Sequence, residues 1–309
     1  MGIWFTRNFY IPCIKRADGT AMGVVKVRFV ESMLPKERRL FFDPYADNFL
    51  ILASLVRWMG VENIINSWHR VIPGMYPMLA GRGRWLDDIC CNAIKDHNCK
   101  QLIILGAGYD TRPIRLPELY DIPCFEIDQP ELNALKSYGY DCLELTKKQR
   151  EKLHLLAVDF NKESILKLAK HKDFQTNVKT VILLEGVSQY IPISTVATTL
   201  KHLKELVGSG SILGMTYVDD ATYGNDIEIQ NKICDDPTIV HKILKAVPTN
   251  EPWITGWSKE NYKLFMESLS FDIIEDVSIE DFEDKYFTPL GRTAKPFLRI
   301  ERFATGTLL

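Results

Sequence analysis

Two glycines at the end of an apolar segment are the residues of this chain whose type and spacing most clearly suggest chemistry. Residues 102–105 are all aliphatic and are followed by Gly106, Ala107 and Gly108. Glycine lets the main chain approach a ligand closely, and a strand that ends in such a loop is typical of nucleotide-binding sites. A dinucleotide-binding loop would have a third glycine at position 111, where this chain has Thr111. We therefore expect an adenosine-like ligand without a pyrophosphate, which favours S-adenosylmethionine over NAD.

Acidic residues follow three further apolar segments, and they indicate what the ligand presents. These residues are Asp128, Asp159 and Glu185. One such acid is usually a helix cap or part of a solvated turn, but three of them beside a glycine loop indicate a ligand. S-adenosylmethionine has a ribose diol, an adenine amine and an ammonium group, and it has no phosphate. We expect Asp128 to accept from the ribose hydroxyls, Asp159 from the adenine amine with Phe160 against the ring, and Glu185 from the ammonium group.

Strands that alternate with helices are predicted to position these residues. From residue 101 onward, short apolar runs alternate with segments of helical periodicity, which indicates βαβ units and a parallel sheet. Runs this apolar are typical of strands that are buried on both faces. The predicted parallel strands are residues 102–105, 123–127, 153–158, 180–184 and 211–217. Residues 271–277 and 297–303 are predicted to form two final antiparallel strands at the edge of the sheet.

The segments on either side of this alternating region have a different character. Residues 20–95 are predicted to be mainly helical, with one helix that begins at Asp43 as N-cap and Pro44 as first residue. Residues 218–257 are rich in polar and turn residues, and we interpret them as a cap inserted over the site. Four aromatic residues in and beside this cap favour a closed pocket. They are Tyr217, Tyr223, Trp253 and Trp257.

Composition excludes several classes of protein. The 309 residues carry a formal net charge of −2, so we expect no nucleic-acid partner. The most apolar helical segment, residues 49–59, is too short to span a bilayer, and we expect no membrane partner. Seven cysteines without a Cys-x-x-Cys pair predict reduced thiols in a cytoplasmic protein. The six histidines are scattered along the chain, and we therefore predict no metal site.

The motifs named so far resemble the leucine carboxyl methyltransferase family, within the class I S-adenosylmethionine-dependent methyltransferases. The resemblance runs in order from about residue 26 to about residue 217. The residues that carry it are 28–32 (RFVES), 43–46 (DPYA), 82–88 (RGRWLDD), 105–112 (LGAGYDTR), 115–116 (RL), 125–130 (FEIDQP) with Lys136, 158–160 (VDF) and 185–190 (EGVSQY). Residues 218–296 show no match, and they should shape the acceptor pocket.

The resemblance implies a fold and a division of the chain. It implies an α/β, Rossmann-like class I methyltransferase with a seven-stranded, mostly parallel sheet whose last strand is antiparallel. Residues 1–95 would be a helical N-terminal extension packed on the core. Residues 96–309 would be the S-adenosylmethionine-binding core, with the cap, or lid, at about 218–257 after the fifth strand.

The resemblance also implies the residues that contact the cofactor. Arg82 would bind the carboxylate of its methionine part, and Arg28 or Lys26 of the first helix would reach the same group. The full set of predicted cofactor-binding residues is Arg28, Arg82, Gly106, Ala107, Gly108, Asp110, Asp128, Gln129, Asp159, Phe160, Glu185 and Gly186.

The predicted function is S-adenosylmethionine-dependent O-methylation of a carboxylate or hydroxyl of a small molecule. A carboxylate is already ionised at pH 7 and needs no general base, whereas an alcohol needs one. Tyr190 is a candidate for orienting the acceptor. Arg112 and Arg115 are candidates for an acceptor carboxylate, but we favour a salt bridge from them to Asp87 or Asp88.

Three alternatives remain open at this point. The first is a protein C-terminal carboxyl methyltransferase, which needs an open groove for a peptide carboxylate. The second is a non-catalytic S-adenosylmethionine-binding module. The third, an NAD-dependent dehydrogenase, is disfavoured by Thr111. We expect the protein to be a monomer or a weak dimer.

Overall fold

A computed structural model describes residues 19–50, 53–224, 226–236, 238–247, 249 and 251–309, and the statements below refer to these residues. The described part of the chain before the first strand is mainly helical, as predicted. Its helices are α1 (Gly19–Met33), α2 (Ala53–Met59), α3 (Val61–Val71) and α4 (Met75–Lys95). The first 18 residues of the predicted N-terminal extension lie outside the described residues. The division at residues 95 and 96 stays a prediction.

A seven-stranded sheet forms the centre of the molecule. Its strands are β1 (Gln101–Leu105), β2 (Cys124–Asp128), β3 (Leu153–Ala157), β4 (Thr180–Leu184), β5 (Ile212–Val218), β6 (Phe271–Val277) and β7 (Glu301–Leu308). Their order across the sheet is β3-β2-β1-β4-β5-β7-β6. Strands β1 to β5 are parallel, and β7 lies antiparallel between β5 and β6. The predicted α/β fold with a mostly parallel seven-stranded sheet is confirmed.

The register of the parallel strands brings their carboxyl ends together. Leu105 at the end of β1 is paired with Ile127 of β2 on one side and with Leu184 of β4 on the other. The segments that follow these three strands therefore begin at one edge of the sheet, where ligands bind in open α/β folds. Two of the predicted acids, Asp128 and Glu185, and the glycine loop come to this edge as a result.

Seven α-helices follow β1 in the described part of the chain. They are α5 (Arg112–Arg115), α6 (Pro130–Asp141), α7 (Lys147–Lys152), α8 (Ile193–Leu206), α9 (Ile227–Ile233), α10 (Thr238–Ala246) and α11 (Lys259–Ser268). Alternation along β1 divides the core in two, because successive strand residues point to opposite faces. Leu102 and Ile104 belong to one buried cluster, and Ile103 and Leu105 belong to the other.

Three expectations about the elements differ from the structure. Asp43 does not begin a helix: it accepts from the Tyr45 backbone N–H at 3.0 Å, and only a short 3₁₀ turn follows at Ala46–Asn48. The last strand is Glu301–Leu308 and not 297–303. The strand β3 is not buried on both faces, because it lies at the edge of the sheet and its residues are mostly half-buried.

The region after β5 contains regular structure as well as the predicted irregular cap. Helices α9 and α10 form within residues 218–257, and β5 is followed by a short 3₁₀ helix at Asp220–Tyr223. Among the described residues, no helix combines the length and apolar character needed to cross a membrane.

Candidate active site

A single cavity of about 550 Å³ lies at the carboxyl ends of the central strands. This volume is within the range of small-molecule sites. All twelve predicted cofactor-binding residues line it, and so does Tyr190. The structure thus brings together residues from α1, α4 and the segments after β1, β2, β3 and β4. Their contact with a cofactor stays a prediction, whereas their meeting in one cavity is a property of the fold.

The glycine loop needs glycine for two separate reasons. Gly106 has a φ of 65°, a left-handed conformation that L side chains rarely adopt. A Cβ atom at Gly106 would also lie 2.3 Å from Cγ2 of Val187. Gly108 has a φ of 45°, but a Cβ there would meet nothing within 4 Å. Gly106 therefore allows close packing, while Gly108 leaves open space beside the loop, where a ligand can approach.

Asp128 connects this loop to the next helix. One of its carboxylate oxygens accepts from the Gly108 backbone N–H at 2.6 Å, and the other accepts from the Gln129 N–H at 2.7 Å. A carboxylate has about four lone-pair positions, which is more than these two backbone N–H groups occupy. Asp128 is thus able to bind ribose hydroxyls while it holds the loop, a second role that the spacing alone did not indicate.

A buried ion pair lies beneath the loop. Lys136 of α6 is 2.8 Å from Glu126 of β2, and it also donates to the Ala107 carbonyl at 3.3 Å. The Tyr140 hydroxyl lies 3.0 Å from both Glu126 oxygens and 3.1 Å from the Asp110 carbonyl oxygen. Burial raises the pKa of Glu126 to about 7, although Lys136 opposes this shift. This cluster supports the loop from below and does not line the cavity.

Glu185 is held by two arginines. One of its oxygens accepts from Arg82 Nε at 2.8 Å, and the other accepts from Arg112 Nη1 at 2.8 Å. Nη1 of Arg82 also donates to both oxygens of Glu301, each at 2.8 Å. Burial would raise the pKa of Glu185, but Arg112 and Arg82 lower it below its ordinary value. Glu185 therefore stays ionised and faces the cavity as part of a network, not as a lone partner for an ammonium group.

The favoured interpretation of Arg112 and Arg115 is confirmed. Arg112 Nε donates to Asp87 at 2.8 Å, and Arg115 binds both oxygens of Asp87 at 2.7 and 2.6 Å. Asp87 belongs to α4, so these pairs join the N-terminal helices to the segment after the glycine loop. Asp88 instead accepts from Arg84.

Arg28 also binds the loop from an N-terminal helix. Its Nη2 donates to the Tyr109 carbonyl at 2.6 Å, and its Nη1 lies 3.2 Å from Thr111 Oγ1 and 3.3 Å from Asp43. The Thr111 hydroxyl donates to Asp43 at 2.7 Å. The Asp43 carboxylate thus contacts α1 and the loop, which explains why Asp43 does not cap a helix. Thr111, in the place of a third glycine, takes part in that contact.

Asp159 lies at a more open part of the cavity. It pairs with Lys162 at 2.8 Å, and its side chain is partly exposed. Phe160 lines the cavity beside it and is half-buried. This arrangement is compatible with an adenine ring at the cavity mouth.

The cavity continues beyond the loop into a chamber with apolar walls. Helices α3 and α4 and the turn between them contribute Trp68, Ile72, Met75 and Leu79. The lid contributes Ile243 and Ala246 of α10 and, further on, Trp253. Gln189 and Tyr190 also line the cavity. Sequence reasoning missed these chamber residues, except for Trp253 and Tyr190, because each belongs to an element whose apolar residues are indistinguishable from core.

Only one of the four aromatic residues that suggested a closed pocket lines it. Trp253 does so, whereas Tyr217 stacks on Tyr262 with ring centroids 3.9 Å apart. Trp257 packs against the same tyrosine at 6.0 Å. Tyr223 does not line the cavity, and its hydroxyl donates to the Thr255 carbonyl at 2.7 Å. Three of the four therefore stabilise the lid and its junction with the sheet.

Two of the histidines meet despite their distance in the sequence. His154 of β3 and His171 have ring centroids 4.5 Å apart, and Asp173 lies 3.5 Å from His154 Nε2. These three residues have the ligand types of a metal site, but they do not line the cavity. Burial lowers the pKa of His154, and the neighbouring His171 adds to this shift. The active site without a metal stays a prediction.

The family model of leucine carboxyl methyltransferase matches residues 21–204. The candidate S-adenosyl-L-methionine-dependent methyltransferase YktD of Bacillus subtilis is 28% identical over 61% of this chain, and the match covers 59% of that protein. A candidate S-adenosyl-L-methionine-dependent methyltransferase of Frankia alni is 29% identical over 77% of this chain and 82% of its own. Another, of Mycobacteroides abscessus, is 30% identical over 72% of this chain and 71% of its own.

Two solved structures share the fold. One is a candidate methyltransferase of Thermobifida fusca, with a TM-score of 0.56 and 14% identity over 91% of this chain and 94% of that one. The other is a DUF574 family protein of Streptomyces avermitilis, with a TM-score of 0.56 and 12% identity over 92% and 97%. Because the family model matches residues 21–204, more than half of the 309-residue chain, this protein belongs to the leucine carboxyl methyltransferase family and is an S-adenosylmethionine-dependent methyltransferase.

Proposed function

We propose that this methyltransferase transfers the methyl group to an oxygen atom of a small molecule that binds in the apolar chamber. The observation that carries the proposal is the continuity of one cavity from the glycine loop to the chamber walls. A cofactor on the loop and an acceptor in the chamber would share one cavity. Such an arrangement favours direct transfer between two bound molecules.

The chain's own residues supply position and shielding for this reaction. S-adenosylmethionine supplies a methyl group on a positively charged sulfur. Asp128 and the loop residues Gly106 and Gly108 hold the nucleoside side of the cavity in place. Ion pairs hold three charged side chains of the cavity wall in place, those of Arg82, Glu185 and Glu301. The apolar walls of the chamber disfavour water beside the reacting groups. Binding both molecules in one cavity aligns the acceptor, the methyl group and the sulfur for an in-line displacement.

The walls of the chamber also bear on the alternative acceptor. A protein C-terminus would have to fit, with the residues that precede it, between walls formed by α3, α4 and the lid, which include Trp68 and Trp253. A small molecule can be accommodated as a whole within about 550 Å³. We propose the small-molecule acceptor on this ground, and the protein C-terminal carboxyl group is the outcome that would replace it.

Transfer of a labelled methyl group tests the proposal. The purified protein is incubated with methyl-labelled S-adenosylmethionine and a cell extract that is divided by size into small molecules and proteins. Label in the small-molecule fraction supports the proposal, and stability of the product to alkali distinguishes an ether from an ester. Asp128→Asn should lose this activity, and Asp141→Asn, at an exposed position of α6, is the matched control. Label in the protein fraction alone would contradict the proposal.

We also propose that the enzyme acts in the cytoplasm as a monomer or weak dimer. The support for the compartment is that the six described cysteines are free thiols, including the adjacent Cys90 and Cys91. Sedimentation at micromolar concentration tests the oligomeric state, and cell fractionation tests the compartment. A stable larger assembly, or protein found outside the cytoplasmic fraction, would contradict the respective point.

A further inference from the structure

Two histidines and an aspartate meet at the edge of the sheet, away from the cavity. His154 belongs to β3, the edge strand, and His171 and Asp173 follow a 3₁₀ helix at Ile165–Lys170 in the segment that leads to β4. One ring nitrogen of each histidine and one carboxylate oxygen of Asp173 all lie within 4.8 Å of one another. The prediction of no metal site rested on the separation of the histidines along the sequence, and the fold removes that separation for these two.

Packing against one phenylalanine holds both imidazole rings in place. His154 is paired in register with Phe125 of β2, and the two rings stack with centroids 5.0 Å apart. The His171 ring meets the same phenylalanine ring edge-on at 5.3 Å. The Asp173 backbone N–H donates to His171 Nδ1 at 3.3 Å, which keeps this residue beside the ring. The side chains are therefore held together by the fold itself, as the ligands of a preorganised metal site must be.

The distances between the three side chains suit a zinc ion. Zinc binds imidazole nitrogen and carboxylate oxygen at about 2.0–2.2 Å, so two ligand atoms of a tetrahedral site lie about 3.4 Å apart. His154 Nε2 lies 3.5 Å from Asp173 Oδ2. The ring centroids of His154 and His171 are 4.5 Å apart, close enough for both rings to reach one ion. Three protein ligands would leave the fourth position to water.

A buried nitrogen atom in this cluster lacks a hydrogen-bond partner. His154 Nε2 is buried, and within the described part of the chain no group forms a hydrogen bond with it. Its 3.5 Å separation from Asp173 Oδ2 exceeds the usual hydrogen-bond distance of about 2.7–3.2 Å. A bound ion is one way in which such a buried atom is satisfied. The Asp173 side chain is 39% exposed, so an ion can reach the cluster from solvent on that side.

We propose that His154, His171 and Asp173 bind a zinc ion that ties the edge strand β3 to the segment before β4. Two imidazoles and one carboxylate suit zinc, whereas magnesium and calcium prefer oxygen ligands alone. The ion would anchor a strand that has a strand neighbour on one side only, β2. Lys152 and Lys172 act electrostatically on His154, and their positive charges oppose binding of a cation. We therefore expect micromolar affinity and not the tighter binding of a closed structural site.

Metal titration of the full-length protein tests the proposal. The protein is freed of metal with a chelator and titrated by calorimetry with zinc chloride and, separately, with magnesium chloride. We expect one zinc ion per chain with micromolar affinity and no binding of magnesium. Cobalt in place of zinc should show the visible bands of a tetrahedral site with nitrogen and oxygen ligands. Absence of zinc binding, or the near-ultraviolet absorption of cobalt bound to cysteine thiolate, would overturn the proposal.

Three variants identify the ligands. Asp173→Asn, His171→Gln and His154→Gln should each weaken zinc binding at least tenfold and abolish the rise in melting temperature that zinc causes in the wild type. His97→Gln and Asp141→Asn, at exposed positions, are the matched controls and should change neither.

The partly exposed Asp173 keeps the test decisive if the more buried His154 variant does not fold. Wild-type zinc affinity in folded Asp173→Asn and His171→Gln would overturn the proposal. S-adenosylhomocysteine affinity should change less than twofold in the folded variants, because none of the three residues lines the cavity. Zinc binding does not depend on the proposed function, so failure of either leaves the other standing.

Discussion

Replacement of Asp128 with asparagine separates the two roles that the structure gives to this carboxylate. In the wild type, its two oxygens accept from the Gly108 and Gln129 backbone N–H groups at 2.6 and 2.7 Å. Asparagine has nearly the same shape but only one acceptor oxygen. Its NH₂ group would face one of the two N–H donors, so one hydrogen bond to a buried donor would be lost.

The magnitude follows from these two contacts. A hydrogen bond to a charged group contributes about 1.5–3 kcal/mol, so we expect the free energy of unfolding to fall by about 2 kcal/mol. If the same carboxylate binds the ribose hydroxyls, affinity for S-adenosylhomocysteine should fall by roughly 5- to 150-fold, which corresponds to about 1–3 kcal/mol. Urea unfolding measures the first quantity and calorimetry the second. Asp141→Asn, at an exposed position, should change neither by more than about 0.5 kcal/mol.

A ligand without one ribose hydroxyl distinguishes direct contact from an effect through the loop. The wild type should bind the 2′-deoxy analogue of S-adenosylhomocysteine more weakly than S-adenosylhomocysteine itself. Asp128→Asn should bind both alike, because the group that distinguished them is gone. Wild-type affinity in a folded Asp128→Asn protein, or unchanged discrimination between the two ligands, would refute the assignment of Asp128 to the ribose.

The remaining predictions concern the buried charges and the glycine loop. Asp87→Ala leaves two buried arginines without their shared partner, so urea unfolding should show a loss of about 3–5 kcal/mol; a loss below about 1 kcal/mol would contradict this. Gly106→Ala places a Cβ against Val187 and should abolish S-adenosylhomocysteine binding or folding. Gly108→Ala adds only backbone strain of about 1–2 kcal/mol. Equal effects of the two substitutions would show that packing at Gly106 is unimportant. Glu126 has a folded pKa of about 7, above its unfolded value, so the folded state holds the proton more tightly. Its contribution to stability is therefore greatest below the unfolded pKa and is lost as the pH rises through 7. Stability relative to Glu126→Gln should fall from pH 5 to 8, and a constant difference would contradict the raised pKa.

The parallel strands could be predicted because their residues are apolar on both faces. β1, β2 and β4 are fully buried, and the predicted boundaries of each lie within one residue of the observed ones. β6 was predicted at its observed bounds as well. The predicted position of β7, residues 297–303, is wrong because the central residues of the strand, Ala304 to Gly306, are small and because it begins with a charged residue. Glu301 is buried at that point only because Arg82, 219 positions earlier, pairs with it.

In the site, too, local patterns could be predicted from the sequence and contacts between distant segments could not. The loop and the strand-end acids are local patterns, and they could be predicted from spacing. The partners of Glu185 could not, because Arg82 and Arg112 reach it from separate parts of the chain. At Asp43 a local pattern gave a wrong prediction. The sequence there is typical of a helix start, but the Asp43 side chain binds Arg28 and Thr111 instead. Contacts of this kind depend on the packing of α1 and α4 over the sheet, which no local pattern contains.

The central claim is that the cavity at the carboxyl ends of the strands binds S-adenosylmethionine. Calorimetric titration of the purified protein with S-adenosylmethionine and S-adenosylhomocysteine tests it most directly. We predict binding of both in the micromolar range, with one molecule per chain and with affinity reduced by Asp128→Asn. Absence of binding to a folded protein would mean that the strand-end acids only stabilise the loop and the helices, and it would contradict the account.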